Sequence, residues 1–224
     1  MKTELKNKIA AEVEAANFFD ELPNELCGFT LKKIFDEDDD KFIYFAYENF
    51  QTHRVLTAYF HEETKEYKAR VKIGLNEFCL TKFFTQNFNQ FGEMITSELE
   101  TTLKNFSENP NEKNPLIKEK NFSAWEYGKN LPKNIAGFEL FITPENPVEL
   151  TSGDCVIINY SDFSAQSDFT LVYNTYLENF SVEMKINRVS QVNYLFDSEN
   201  LNDLEKKLAK NLSAELERMR KEIS

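Results

Sequence analysis

The alternation of apolar and polar side chains changes period along the chain, and the same change happens twice. Tyr67, Ala69, Val71, Ile73 and Leu75 alternate with Lys68, Arg70, Lys72 and Gly74. Far downstream, Phe180, Val182, Met184 and Ile186 alternate with Ser181, Glu183, Lys185 and Asn187. Period two with one polar face predicts a half-buried antiparallel strand. The period then lengthens. Phe88, Phe91, Ile95, Leu99, Leu103 and Phe106 step by three or four, and so do Leu201, Leu204, Leu208, Leu212, Leu216 and Met219. Each set is one stripe on a helix of about 20 residues, about 30 Å long. We expect these helices at 86–106 and 199–220. Asn87 with Gln90, and Asn200 with Asp203, have capping-box spacing at their starts.

The recurrence is an internal duplication. Residues 22–31 read LPNELCGFTL and residues 131–140 read LPKNIAGFEL, sharing LPxxxxGFxL at an offset of 109. Further on the offset becomes 113, and residues 49–106 align with 162–219 without a gap. Nine of those 58 positions are identical. That is modest, so the matched periodicity carries the argument. A loop between the first and second strands would absorb the four-residue slip.

Each copy therefore predicts a first strand after LPxxxxGF and a second at about 41–49 and 154–162. A third follows at 54–62 and 167–175, then the alternating fourth and the long helix. Residues 75–83 and 188–196 have mixed period, a fifth strand or an irregular bridge. The fold class is α+β: a tandem antiparallel meander of four or five strands, each with a long C-terminal helix on one sheet face. An extra N-terminal helix, roughly 3–20, carries Leu5, Ile9, Val13 and Ala16 on one face. The domains expected are 1–107, a polar linker at 108–123, and 124–224, where Phe122, Trp125 and Tyr127 suggest a short helical turn replacing the N-terminal helix. At the level of topology the unit looks like the helix-on-sheet architectures of TATA-binding-protein-like and helix-grip folds, with no sequence motif of either.

Scarce residues exclude much chemistry. No two of the six glycines are closer than nine positions, so neither a dinucleotide fingerprint nor a P-loop can be written. Two histidines, His53 and His61, cannot make a three-histidine zinc site. Cys27, Cys79 and Cys155 are odd in number and form no CxxC, which suits buried thiols in a reducing compartment. They align with Ala136, Val192 and Phe42, and His53 and His61 align with Gln166 and Asn174. We assign them no catalytic role, and expect no metal and no cofactor. Asp36, Asp38 and Asp40 have calcium-loop spacing, but Lys41 stands where that loop needs glycine, so a solvated hairpin is expected. The basic residues near the end of the last helix read as a solvated face complementing its dipole.

With 26 basic and 38 acidic residues the net charge is −12, which argues against nucleic-acid binding. The longest wholly apolar run, Phe42–Tyr47, is too short to span a bilayer. We expect a cytoplasmic protein without membrane contact. At 41% hydrophobic residues, 21 of them Phe, the chain has ample material for a core.

One feature asks for a partner. If the second strand turns Ile43, Phe45 and Tyr47, or Val156, Ile158 and Tyr160, toward the helix, then Phe42, Tyr44 and Ala46, or Cys155, Ile157 and Asn159, face outward. A strip of Tyr44, Thr57 and Tyr59, with Ile157 and Val172, then needs cover by the N-terminal helix, the other repeat, a second subunit or another protein. The leading expectation is a non-catalytic acidic protein-interaction module of inhibitor, immunity or chaperone-like kind, by a protein partner or self-association. The alternatives are a carrier of a small apolar ligand between helix and sheet, and an enzyme without a recognisable constellation.

Overall fold

The structure is a computed structural model; it describes residues 3–150 and 152–223. The chain divides into two compact units, 1–107 and 108–224, each an antiparallel sheet with a long helix packed on one face. The first holds α1 (Thr3–Ala15), α2 (Phe18–Glu21), β1 (Glu25–Leu26), β2 (Phe29–Asp38), β3 (Lys41–Asn49), β4 (Arg54–His61), β5 (Glu66–Ile73), β6 (Asn76–Thr85) and α3 (Phe88–Ser107). Its six strands lie in sequence order. The second holds α4 (Pro110–Lys113), α5 (Pro115–Lys120), a 3-10 turn (Phe122–Ala124), α6 (Glu126–Lys129), β7 (Asn134–Ile135), β8 (Phe138–Ile142), β9 (Val148–Glu149), β10 (Cys155–Asp162), β11 (Ser167–Asn174), β12 (Asn179–Ile186), β13 (Val189–Ser198) and α7 (Leu201–Ile223). Its strand order is β13-β12-β11-β10-β8-β7, with β9 on β10. The stretches of mixed period are fifth strands of the meanders, β6 and β13.

The duplication extends to fine geometry. Left-handed backbone recurs in pairs: Cys27 with Ala136 (φ 51° in both), His53 with Gln166 (46° and 48°), and Lys65 with Glu178 (57° and 52°). The Tyr47 hydroxyl donates to the Pro23 carbonyl and the Tyr160 hydroxyl to the Pro132 carbonyl, both at 2.7 Å. At the helix starts, Asn87 Oδ1 accepts from the Gln90 N–H and Asn200 Oδ1 from the Asp203 N–H. The Gln90 and Asp203 side chains accept from Thr85 and Ser198 hydroxyls, a relay one step outside the expected capping box. The apolar stripes of α3 and α7 close both cores as their spacing requires. Within the described residues no helix is long and apolar enough to cross a membrane.

Three boundaries differ from expectation. The N-terminal helix breaks after Ala15 and resumes at Phe18, which lets Phe19 turn into the first core. The four-residue slip falls inside the first strand of the second copy, where Pro144 and Pro147 flank the gap between β8 and β9. Proline has no N–H for the ladder, so the strand stops and restarts. Residues 108–123 are not a bare linker. They form α4, α5 and the 3-10 turn, and Ile117 and Phe122 sit in the second core. The Asn109 and Asn114 side chains each accept from N–H groups just inside a helix whose first residue is proline.

The main departure is a β-bulge. Ile43 lies opposite Tyr59 and Phe45 opposite Ala58, leaving Tyr44 unpaired. Val156 lies opposite Val172 and Ile158 opposite Leu171, leaving Ile157 unpaired. One extra residue reverses the alternation, so two consecutive side chains take the helix side. Tyr44 and Phe45 enter the first core, and Ile157 and Ile158 the second. A second bulge is duplicated too, between Tyr67 and Ala69 and between Phe180 and Val182.

The last helix of the second unit is anchored at its C-terminal end. Arg220 Nη1 lies 2.8 Å from Asp162, and its Nε donates to the Ala136 carbonyl at 2.7 Å. Gly137, at φ +85°, lets the guanidinium approach; a Cβ there would lie 2.7 Å from it. Burial pushes the Asp162 carboxyl upward, but bonds from Ser164 and the Ala165 N–H, with the Arg220 charge, outweigh it and hold the pKa down at about 2. Asn49 stands at the equivalent position and caps the same turn, accepting from the Gln51 and Thr52 N–H groups. Asp162→Asn therefore keeps the cap and removes the ion pair. A depressed carboxyl pKa stabilises the fold above its unfolded value of about 4 and is lost as pH falls toward 2. The stability difference between wild type and Asp162→Asn, from urea melts, should be largest near neutrality and shrink over that window. A difference independent of pH would contradict it.

Candidate functional site

The residues expected on the outer strip separate into two groups. Tyr44 and Ile157 lie on the helix side, because the bulges put them there; the expectation that they face outward is corrected. Tyr44 is fully buried among Phe19, Tyr67, Phe88 and Phe91, with ring centroids 5.6–6.3 Å away. Thr57, Tyr59 and Val172 are on the outer faces, opposite Ala46, Ile43 and Val156. Tyr59 is 2% and Val172 6% exposed, so neither presents an open surface. Arg70 lies over the Tyr59 ring at 5.3 Å and is held by Glu77 at 2.9 Å and Asp38 at 3.7 Å. The Tyr59 hydroxyl is 3.7 Å from the Cys79 thiol.

The Tyr44 hydroxyl is buried without a hydrogen-bond partner among the described residues. Burial pushes its pKa strongly upward, and the neighbouring Tyr67 and Glu12 add to this. Tyr67 is satisfied: its hydroxyl donates to Glu12 of α1 at 2.7 Å. Glu12 also lines a shallow groove of about 520 Å³ between α1 and the start of α3, with Lys8, Asn87 and Phe88.

In the second unit the outer face carries a buried polar network. The Asn159 amide donates to Thr170 Oγ1 at 2.7 Å, and Ser161 Oγ donates to Asn159 Oδ1 at 2.6 Å. Asp168 lies 3.4–3.5 Å from Thr170 and Asn159. Burial pushes the Asp168 carboxyl upward against the opposing Lys185 charge and these bonds. The first copy has Ala46, Glu48, Val55 and Thr57 at the corresponding positions. A polar residue in phase with an apolar one in the other copy was the available sequence signal.

His61 sits in an arrangement that imitates a catalytic triad. Its Nε2 is 3.0 Å from Asp40, and its Nδ1 is 3.3 Å from the Thr64 hydroxyl. The duplication gives the group another meaning. His61 Nδ1 also accepts from the Thr64 N–H, as Asn174 Oδ1 accepts from the Leu177 N–H in the second copy. Both side chains cap the turn after the third meander strand. Asp36–Asp40 end β2 and turn into β3, and Lys6, Arg70, Lys41 and His61 lie against Glu37, Asp38 and Asp40. Among the described residues no group of three or more His, Cys, Asp or Glu is arranged to hold a metal. Cys155 is buried, which pushes its thiol pKa upward; Cys27 is half-buried and Cys79 exposed.

A feature the sequence left unresolved is the edge strand β13. Val189, Val192, Tyr194 and Leu195 are 64, 74, 79 and 46% exposed. Their equivalents in β6 are Asn76, Cys79, Thr81 and Lys82. Tyr176 and Leu177, in the β11–β12 turn, are also exposed and replace Glu63 and Thr64. Comparing the copies position by position would have marked these six residues. No family model matches the chain, and no curated protein or solved structure matches it.

Two substitutions check the assignments. Tyr44→Phe removes a buried hydroxyl that has no partner, so it should leave stability unchanged or raise it by up to about 1–3 kcal/mol in urea unfolding. A loss of that size would mean the hydroxyl is bonded. His61→Asn installs the second copy's capping residue and should shift stability by no more than about 0.5 kcal/mol. A loss well above that would show that the imidazole does more than cap the turn.

Proposed function

We propose that the protein is a non-catalytic protein-interaction module that binds through the exposed edge of its second repeat. The observation that carries this reading is the asymmetry between two copies of one fold. Both sheets end in the fifth strand of the meander. Only in the second is that strand lined with exposed apolar side chains, where the first has Asn, Cys, Thr and Lys. An edge strand offers unpaired backbone groups to another strand, and proteins normally blunt such edges with charge. Exposed apolar side chains along it add area to bury. The strip around Tyr59 and Val172 is not the docking surface in this reading, because those side chains are already buried.

The ligand-carrier reading is supported by the groove beside α1, where Glu12 of the lining holds the buried Tyr67 hydroxyl. The groove is shallow and the helix–sheet interior is filled by the α3 stripe, so the edge strand has the stronger claim. The test is a capture experiment with the immobilised chain in an extract of cells that produce it. Wild type should retain a bound protein, its own untagged copies included, that Val192→Lys with Tyr194→Lys loses. Equal capture by both would remove β13 as the binding surface.

A further inference from the structure

The run from Val189 to Phe196 contains no charged side chain in a chain of net charge −12. It is bounded by Arg188 at one end and Asp197 at the other, both exposed. Arg188 and Asn187 turn β12 into β13 with positive φ, and no strand lies beyond β13 among the described residues. The first unit's edge is different: β6 carries Glu77 and Lys82 within the strand. An uncharged edge with opposite charges at its two ends is complementary to itself when turned antiparallel.

We propose that β13 pairs with β13 of a second copy, antiparallel about a two-fold axis close to Asn193, joining two seven-stranded sheets. This rests on the reading of β13 as a protein-binding edge and names its occupant. Two observations choose a second copy over an unrelated strand. The axis brings Val192 of one copy beside Tyr194 of the other, an apolar–aromatic cross-strand pair formed twice by symmetry. It also carries each Arg188 toward the second copy's Asp197, again twice. Val192 lies opposite Glu183 on β12, so it is on the face away from α7; Asn193, opposite Val182, is on the α7 side and bonds to Glu215 at 2.8 Å. The pairing thus buries Val192 on the face away from α7 and leaves the Asn193–Glu215 bond on the α7 side undisturbed. The strand is also spared the like-charge contact that two copies of so acidic a chain would meet elsewhere.

Sedimentation of the whole chain over a wide concentration range tests this. Wild type should show a monomer–dimer equilibrium, and Val192→Lys with Tyr194→Lys should sediment as a folded monomer. Arg188→Asp alone, or Asp197→Arg alone, should weaken the dimer at least about fivefold, since each puts like charges together twice. Carrying both should restore it, and this rescue does not depend on the lysine variant folding. A wild type that is monomeric throughout overturns the proposal. So does a dimer indifferent to both sets of substitutions. In the monomeric case, capture of another protein that still depends on Val192 and Tyr194 would leave the β13 edge standing as a binding surface. No such capture would end that reading as well.

Discussion

One unpaired residue in the second meander strand of each sheet, β3 and β10, governs the rest of the unit. At Tyr44 and at Ile157 the bulge turns two consecutive side chains to the same side, so the strand presents more apolar bulk to the helix than strict alternation allows. In the first unit this places Tyr44 and Phe45 against Phe19, Phe88 and Phe91, and α3 lies over them. In the second it places Ile157 and Ile158 under the leucine stripe of α7. Without the bulge, Tyr44 would face the far side of the sheet and a void would open beneath α3, where each missing large side chain costs several kcal/mol, about 2–5. The equivalent bulge in both copies makes it a property of the fold rather than of one sequence.

The elements whose polar positions carry phase were legible. The charged residues of the fourth strand and the single stripe on each long helix fix which side is buried, and the structure follows them. The bulge was not legible, for a specific reason. Phe42 to Tyr47 are all apolar, as are Cys155 to Ile158, so nothing in the pattern says which side any of them faces. A period-two reading assigns alternate faces by default and misplaces Tyr44 and Ile157. The helical turns after α3 were legible in principle: Asn109-Pro110 and Asn114-Pro115 each put a capping side chain before a proline. Polar composition hid them.

Duplication supplied what composition could not. His61 within hydrogen-bond reach of Asp40 and Thr64 invites a catalytic reading, and the second copy's Asn174 shows the same geometry capping a turn. An exposed valine or tyrosine on one strand is ordinary. Four apolar residues on one edge, with Asn76, Cys79, Thr81 and Lys82 at the same places in the sister strand, set the two edges apart. The edge was missed in the sequence because residues 188–196 have no clean period, and the second shared bulge, between Asn193 and Ser198, is the physical cause.

On the proposal that β13 pairs with a second copy, β6 has no such role. Amide hydrogen exchange at low and high protein concentration, compared strand by strand, tests this most directly. Half of the β13 backbone N–H groups point away from β12 and have no ladder partner within the sheet. The account predicts that amides from Val189 to Asn193 become better protected as concentration rises, while β6 does not change. Exchange in β13 that is equally fast at every concentration, or protection rising equally in β6, would contradict it.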